Sequence, residues 1–151
     1  PTLIVRPDYK LYSNDMFSIE YPQELTYREG ENKLGQIDTI QFFDGDSEQS
    51  KIEIIRDPNA FEKNFFDPSS KNNEPELNSE DSAYQFHTTE KLGANTFKVY
   101  LYTFTMHSDS SYYIKNAGGG LFLTNRTYFG ALGPAPSFRE IYPDFSTLKF
   151  N

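Results

Sequence analysis

The clearest pattern in the chain lies in residues 11–27, where a polar turn is followed by alternating apolar and polar positions. The apolar positions are Phe17, Ile19 and Tyr21, and the residues between them are polar. This two-residue period is typical of a strand with one buried face and one solvent-facing side. Pro22 ends the pattern, and we expect the remaining strands to be arranged around this one.

Several later segments also have a period-two or continuous apolar pattern, and short turns separate most of them. The predicted strands cover residues 2–5, 37–43, 51–56, 84–91, 96–106, 110–115, 121–128 and 145–150. The segment 96–106 is the longest of these and has apolar side chains on both faces, which suits a central strand covered on two sides. The segment between residues 44 and 50 is polar and predicts a hairpin loop.

Two short helices are also predicted. Asp57 fits a helix N-cap and Pro58 fits the first helical position, and two phenylalanines follow at i, i+4 spacing. The sequence of residues 137–140, Ser-Phe-Arg-Glu, matches a capping box and predicts a helix that ends before Pro143. Antiparallel strands joined by short turns, with short helices packed on them, predict an α+β fold.

Length and composition favour one domain. At 151 residues the chain can bury a core without disulfides, and it contains no cysteine. We therefore expect a single domain over residues 1–151, with its central antiparallel sheet rich in Phe and Tyr, which make up 17% of the chain. Residues 69–82 are polar and acidic and predict a mobile loop within that domain.

The charge distribution excludes one class of partner. The net charge is −8, and the first 82 residues carry 18 acidic and 8 basic side chains. Nucleic-acid binding requires clustered Lys and Arg, so no nucleic-acid partner is expected. The sequence has no apolar run of transmembrane length. An export signal or a lipid anchor, which would allow membrane association, would have preceded Pro1.

The residues 12–27, YSNDMFSIEYPQELTY, resemble the opening of PsbP-like domains, a family named for an extrinsic subunit of photosystem II. Residues 52–55, residues 92–102 and the closing FSTLKF segment (145–150) are similar to later strands of that family. The resemblance extends over roughly residues 12–150. It implies an α+β PsbP-like fold and a non-catalytic role in binding and stabilising a larger protein assembly. It also implies an extracytoplasmic location, as in exported, secreted or lipoprotein-like bacterial relatives.

An acidic hairpin tip suggests an alternative function. Asp44, Asp46 and Glu48 supply carboxylates at alternate positions, and hard oxygen ligands are those that calcium prefers. An EF-hand loop is excluded because Gln49 and Ile55 stand where glycine and a bidentate glutamate are required. A looser calcium site, and with it a calcium-dependent surface protein, remains the alternative. A solvated hairpin tip explains the same residues without any metal.

The two histidines suggest a second alternative, a hydrolase that uses His87 and His107, or a transition-metal pair. Ser108 and Asp109 follow His107, but adjacent strand residues point to opposite faces, which does not assemble a catalytic triad. The sequence also has no Gly-x-Ser-x-Gly nucleophile elbow. We therefore expect no enzymatic activity and no cofactor other than the possible calcium ion.

Tyrosines in the predicted central strands suggest a partner surface. Tyr100, Tyr102 and Tyr113 could present an aromatic platform to a protein partner or to carbohydrate, although core packing explains the same residues. The leading hypothesis from the sequence is a non-catalytic, extracytoplasmic domain that binds a protein partner or a larger assembly.

Overall fold

The computed structural model describes residues 6–67, 76–77, 85–103, 107–116, 119–130, 133–134 and 139–151. Within these residues the chain forms antiparallel strands and a single helix. In chain order they are β1 (Tyr9–Ser13), β2 (Phe17–Pro22), β3 (Thr26–Glu31), β4 (Ile37–Asp44), β5 (Ser47–Ile55), α1 (Pro58–Phe65), β6 (Phe66–Asp67), β7 (Glu76–Leu77), β8 (Gln85–Leu92), β9 (Asn95–Thr103), β10 (His107–Asn116), β11 (Gly119–Gly130), β12 (Gly133–Pro134) and β13 (Asp144–Phe150).

The larger of the two main sheets joins two meanders. Its strand order is β3-β4-β5-β11-β10-β9-β8, and the short β12 pairs with the end of β11. Neighbours along the chain pair through short turns, whereas β5 and β11 are far apart in sequence and pair antiparallel, with Ile52 opposite Leu123. This one long-range pair makes the two meanders into one sheet. The strands β6 and β7 form a separate two-stranded pair.

The smaller sheet has the order β1-β2-β13. The strand β2, predicted from its alternating pattern, is the central one, and Phe17 and Ile19 are fully buried. The strand β13, from the far end of the chain, pairs antiparallel with β2, with Phe150 opposite Phe17. The segment is therefore the centre of the smaller sheet, but the strands of the larger sheet are not arranged around it, and its predicted solvent-facing side includes the buried Ser18.

The two sheets share one apolar core. It is formed by side chains from the inner face of each sheet: Tyr12, Phe17, Ile19, Tyr21, Leu25, Ile40, Phe42, Ile52, Ile54, Phe97, Leu121, Leu123, Phe145 and Leu148. Burial of a large apolar side chain contributes about 1.5–3 kcal/mol. This core between the sheets therefore supplies most of the described hydrophobic stabilisation, and it leaves the other face of the larger sheet, here called the outer face, for different contacts.

A second apolar cluster lies on the outer face. Tyr100, Tyr113 and Phe122 are buried there, with Phe61 of α1 and Phe86 packed against them. The rings of Phe61 and Tyr113 lie 5.3 Å apart between centroids. Since Phe97 and Val99 are buried on the inner face and Tyr100 on the outer face, β9 is covered on both sides, as its sequence predicts.

The predicted α+β class is wrong, because the described chain is almost entirely strand and contains one short helix. That helix, α1, is the one predicted at Pro58, and the carboxylate of Asp57 accepts a hydrogen bond from the amide of Ala60 at 3.2 Å. The first predicted cap is therefore confirmed. With eight residues, α1 covers only a small part of the outer face.

The second predicted helix is not formed in its described part, since Arg139–Pro143 have no regular secondary structure and residues 137–138 lie outside the described residues. A capping box requires the glutamate to turn back to its cap. Here Glu140 instead accepts a hydrogen bond from Thr127 at 3.4 Å, and Arg139 binds Asp44. The amide of Ile141 donates to the carbonyl of Arg139 at 3.0 Å, which is not a helical spacing.

Other predictions also fall wholly or partly outside the described residues. They are the strand at residues 2–5, the end of the strand at 104–106, the first residue of the strand at 84–91, part of the turn at 116–120, and most of the acidic loop at 69–82. In the described part of that loop, Glu76–Leu77 pairs with Phe66–Asp67.

Candidate functional site

A cluster of charged side chains lies on the outer face of the larger sheet, beside the second apolar cluster. The register of β10 and β11 places Asp109 opposite Arg126 and His107 opposite Tyr128. Since the side chains of alternate residues share a face, these four side chains point to the same side of the sheet. We call Glu48, His107, Asp109 and Arg126 the outer-face ion cluster.

The members of the outer-face ion cluster are bonded to one another. The Nε atom of Arg126 lies 3.1 Å from Oδ1 of Asp109, and its Nη1 atom lies 3.3 Å from Oε1 of Glu48. The Nδ1 atom of His107 lies 3.2 Å from the same Asp109 oxygen. The Asp109 side chain is only 2% exposed, so its charge depends on these partners.

The guanidinium of Arg126 stays charged in this setting. Burial lowers the pKa of Arg126. Its hydrogen bonds with Asp109 and Tyr128 have the opposite effect, as does the nearby charge of Glu48. Together they outweigh burial and raise the pKa above its ordinary value. Gln41 adds a hydrogen bond from its amide nitrogen to Glu48. The outer-face ion cluster therefore contains a buried acid between a permanent cation and an imidazole.

The geometry of His107 and Asp109 resembles the acid–imidazole half of a triad, but Ser108 lies on the opposite face of β10. The hydroxyl of Ser111, on the same face as Asp109, bonds to Thr124 at 3.0 Å and is fully buried. His87 is exposed and sits in a bulge of β8. The strand β9 separates β8 from β10, and His87 lies beside the 99–100 part of β9, whereas Ser108, next to His107, lies opposite Thr103. The two histidines are therefore separated by two strand spacings and by several residues along the strands.

The predicted calcium ligands lie at the turn between β4 and β5. The turn is shorter than predicted: Asp44 pairs with Ser47, and Gly45 takes a φ of 62°, which favours glycine. The carboxylate of Asp44 binds Arg139 at 2.8 Å, and Glu48 belongs to the outer-face ion cluster. Asp46 is exposed.

In the part of the chain that the structure describes, no three His, Cys, Asp or Glu side chains are grouped as a metal ion would require. The strand pairing keeps Asp44, Asp46 and Glu48 on one hairpin, but two of their carboxylates each bind an arginine. The calcium site stays a prediction.

The three predicted partner-binding tyrosines differ in exposure. Tyr100 is fully buried and Tyr113 is 4% exposed, both in the second apolar cluster. Tyr102 is half-buried and lies opposite Asp109 in the pairing of β9 with β10. Two of the three rings are thus occupied in packing within this chain, which matches the core interpretation of these residues.

A cleft of about 440 Å³ opens at one end of the two packed sheets. We call it the end cleft, and its lining residues are Asp15, Met16, Gln36, Arg56, Asn116 and Asn151. Its volume lies within the range of about 300–1,000 Å³ that small-molecule sites occupy. One wall comes from the smaller sheet and the other from the larger sheet, so the packing of the sheets forms the cleft.

Local hydrogen bonds fix the wall from the smaller sheet. The side-chain oxygen of Asn14 accepts from the amides of Met16 at 2.8 Å and Phe17 at 2.9 Å, a turn that asparagine favours. The amide of Asn151 donates to the carbonyl of Met16 at 2.9 Å. These bonds hold Asp15 at the tip of the turn between β1 and β2, at the mouth of the end cleft.

The opposite wall is held by the larger sheet. Arg56 follows β5 and donates one guanidinium hydrogen bond to the carbonyl of Ile37, which starts β4. The side-chain oxygen of Gln36 accepts from the side-chain nitrogen of Asn32 at 3.1 Å. In the described residues no hydrogen bond or ion pair engages the Asp15 carboxylate. The end cleft therefore presents a carboxylate and a guanidinium that do not bind each other.

The sequence reasoning missed both features. A signal existed for one of them: the predicted hairpin around residues 116–120 sets a register in which Asp109 faces the region of Arg126. The end cleft had no such signal, because its walls come from turns far apart in the chain.

Comparison with known proteins gives no assignment, since no protein-family model matches the chain and a search of curated proteins finds no significant match. The PsbP-like resemblance stays a prediction. Within the described residues, no helix has the length and apolar character to cross a membrane, and α1 has only eight residues.

Proposed function

We propose that this protein is a non-catalytic binding domain that works outside the cytoplasm and holds its ligand, or a group of its partner, in the end cleft. The observation that carries the proposal is the end cleft itself. It combines a suitable volume with polar side chains at the turns and strand ends where the two sheets meet. Hydrogen bonds of Asn14 and Arg56 hold these segments in place, which limits the conformational freedom that is lost when a ligand binds.

The outer-face ion cluster is a weaker candidate for function. Its acid is 2% exposed and already binds both an arginine and an imidazole. A ligand there would have to displace those partners, which is costly for a buried charge. The cluster therefore favours a structural role, and the serine on the same face of β10, Ser111, is already bonded to Thr124.

The extracytoplasmic location and the assembly partner rest on the resemblance of residues 12–27 to the PsbP-like opening. The acidic surface fits a protein partner better than a nucleic acid, because the net charge is −8. The partner would reach the end cleft with a terminal or side-chain group.

Binding at the end cleft is tested by amide NMR of ¹⁵N-labelled protein titrated with separate pools of amino acids, sugars and carboxylic acids. We expect shifts that centre on Asp15, Gln36 and Arg56. The Arg56→Gln variant should lose most of the response, and Asp46→Asn, an exposed acid outside the cleft, should keep it. Shifts centred on Asp109 instead would move the binding site to the outer-face ion cluster and refute the proposal.

The non-catalytic part is tested with a panel of ester, peptide and glycoside substrates on the native chain and on His107→Gln. We expect no turnover above background for either protein. Turnover that is lost in His107→Gln would instead support the hydrolase alternative.

The calcium alternative is tested by thermal melts with and without added calcium, repeated on Asp46→Asn. Calcium at about a hundredfold above its dissociation constant would stabilise a site by about 2.7 kcal/mol. We expect no shift, because calcium would have to displace Arg139 and Arg126 from two of the three carboxylates. A shift that disappears in the variant would establish the calcium site.

A further inference from the structure

The two walls of the end cleft carry opposite charges. The wall from the smaller sheet contributes the carboxylate of Asp15, and the wall from the larger sheet contributes the guanidinium of Arg56. Both side chains belong to exposed residues at strand ends. The charges are therefore on opposite walls of the cleft, and the side chains of the described lining residues carry one formal charge of each sign.

These two charges do not neutralise each other directly. Several other acid–arginine pairs in the described chain are close, such as Asp44 with Arg139 at 2.8 Å and Arg6 with Asp144 at 2.7 Å. Asp15 and Arg56 are both described and form no ion pair within 4.0 Å. A gap of this kind leaves room for a ligand that satisfies both charges.

The remaining lining narrows the class of ligand. Gln36 and Asn151 add carboxamides, and among the described lining residues Met16 is the one apolar side chain. A purely apolar ligand would strip water from these polar groups without replacing their hydrogen bonds. An anion alone would be repelled by Asp15, and a cation alone by Arg56. None of the lining residues that the structure describes has an aromatic ring on which a sugar could stack.

We propose that the end cleft binds a zwitterion, either a free amino acid or the termini of a short peptide, with its ammonium at Asp15 and its carboxylate at Arg56. This inference rests on the proposed function, because it assigns a ligand class to the same cleft. Charge-assisted hydrogen bonds from a guanidinium to a carboxylate are the strong ones, and arginine can present two parallel donors. The thioether of Met16 packs against the aliphatic part of the ligand, where a flexible apolar group tolerates different side chains.

The structure also explains how Met16 is held at the cleft. Its methyl group lies over Gly119 of β11, so close that a Cβ atom at that glycine would stand 2.0 Å from it. Gly119 has a φ of 156°, and only a residue without a side chain leaves this space to Met16. The apolar floor of the cleft therefore depends on a glycine of the opposite sheet.

The test is isothermal titration calorimetry with L-alanine, dialanine and trialanine, each compared with forms whose amino end is acetylated or whose carboxyl end is amidated. We expect at least one free zwitterion to bind, and either blocked form to bind at least about tenfold more weakly, as loss of one charge-assisted bond predicts. The amidated probe should lose no affinity in Arg56→Gln, and the acetylated probe should lose none in Asp15→Asn, because each substitution removes only a charge that repels the probe. Asp46→Asn serves as the control and should bind like the native chain.

The outcomes separate this inference from the proposed function. Equal binding of free and blocked probes, or no binding of any of the three zwitterions, overturns the zwitterion assignment. If sugars or carboxylic acids still shift the amides of Asp15 and Arg56, the end cleft remains a binding site with a different ligand class. If no pool shifts them, the proposed function fails as well.

Discussion

The outer-face ion cluster and the end cleft use the same kinds of side chain in opposite ways. In the outer-face ion cluster, Asp109 is almost completely buried and lies 3.1 Å from Arg126. In the end cleft, Asp15 is exposed and has no such partner among the described residues. The first site is built on three neighbouring strands, β5, β11 and β10, and the second on turns and strand ends.

This difference shows where charge serves the fold and where it is available for binding. A buried acid must be paired, because removal of one partner leaves an uncompensated charge. An exposed acid at a turn keeps its water and contributes little to stability, so its position is free for a ligand to use. Four predictions test this contrast, from the largest expected effect to the smallest.

Asp109→Ala should cause the largest loss. It leaves Arg126, whose side chain is 25% exposed, and His107 without their shared acceptor. Breaking a buried ion pair costs about 3–5 kcal/mol, and the partial exposure of Arg126 places the expected loss of unfolding free energy at about 3 kcal/mol. Urea denaturation of the native and variant chains measures it.

The matched control is Lys51→Ala. It removes the surface ion pair between Lys51 and Glu53, whose charged atoms lie 3.2 Å apart and whose side chains are 35% and 41% exposed. That loss should stay below about 1 kcal/mol. Similar losses for the two variants would show that the buried cluster contributes no more than a surface pair, and the contrast would be wrong.

Gly119→Ala should cause an intermediate loss and should act at the end cleft. A Cβ atom there would contact the Met16 methyl group at 2.0 Å and the carbonyl oxygen of Ile55 at 3.2 Å. A non-glycine residue in this region of φ costs about 1–3 kcal/mol, and the displaced Met16 should narrow the cleft.

Urea denaturation and amide shifts of residues 14–17 measure these two effects. Gly30→Ala is the control, because its Cβ would meet only Thr39 at an ordinary 3.5 Å. Equal stability of Gly119→Ala and Gly30→Ala would contradict the close approach of Met16.

Many of the strands and the helix α1 could be predicted from the sequence, because local sequence patterns determine local secondary structure. The alternation of Phe17, Ile19 and Tyr21 predicts β2, and the Asp57–Pro58 pair predicts α1 at its first residue. The helix predicted at residues 137–140 is absent in its described part, where Arg139 and Glu140 make tertiary bonds instead. The α+β class was wrong because the described residues form thirteen strands and one helix of eight residues.

The candidate sites were less predictable than the elements. The pair of Asp109 and Arg126 follows from the register of one hairpin. Glu48 of the same cluster is brought next to Arg126 only by the pairing of β5 with β11. The end cleft requires the packing of the two sheets, which no period in the sequence determines. The buried positions of Tyr100 and Tyr113 likewise depend on α1 returning over the outer face.

Asp144 is intermediate between the buried, paired Asp109 and the exposed, unpaired Asp15. Its side chain is partly exposed but forms hydrogen bonds with Ser146 and Arg6. Burial raises its pKa, but hydrogen bonds from Ser146 and from Arg6 outweigh burial and hold the pKa below its ordinary value. A lowered folded-state pKa gives stability that is present above the unfolded value of about 3.9 and is lost as pH falls through the folded value.

The stability difference between the native chain and Asp144→Asn, measured in urea from pH 7 to pH 2.5, should therefore be largest near neutral pH and shrink as the pH falls. It should be smaller than the Asp109→Ala effect at every pH. A difference that grows as pH falls would give the wrong sign and remove the inferred role of the carboxylate.

Asp15→Asn should have the smallest effect on stability. It tests most directly whether the exposed acid of the end cleft, unlike the buried Asp109, contributes little to the fold. The substitution keeps the size of the side chain and removes its charge at an exposed turn whose geometry is set by Asn14, so the unfolding free energy should change by less than about 0.5 kcal/mol. Asn14→Ala is the control: it removes the acceptor of two turn amides and should cost about 1 kcal/mol or more. If Asp15→Asn were as destabilising as Asn14→Ala, the carboxylate would be part of the fold. The end cleft would then have no acid to offer a ligand, and the difference between the two regions would disappear.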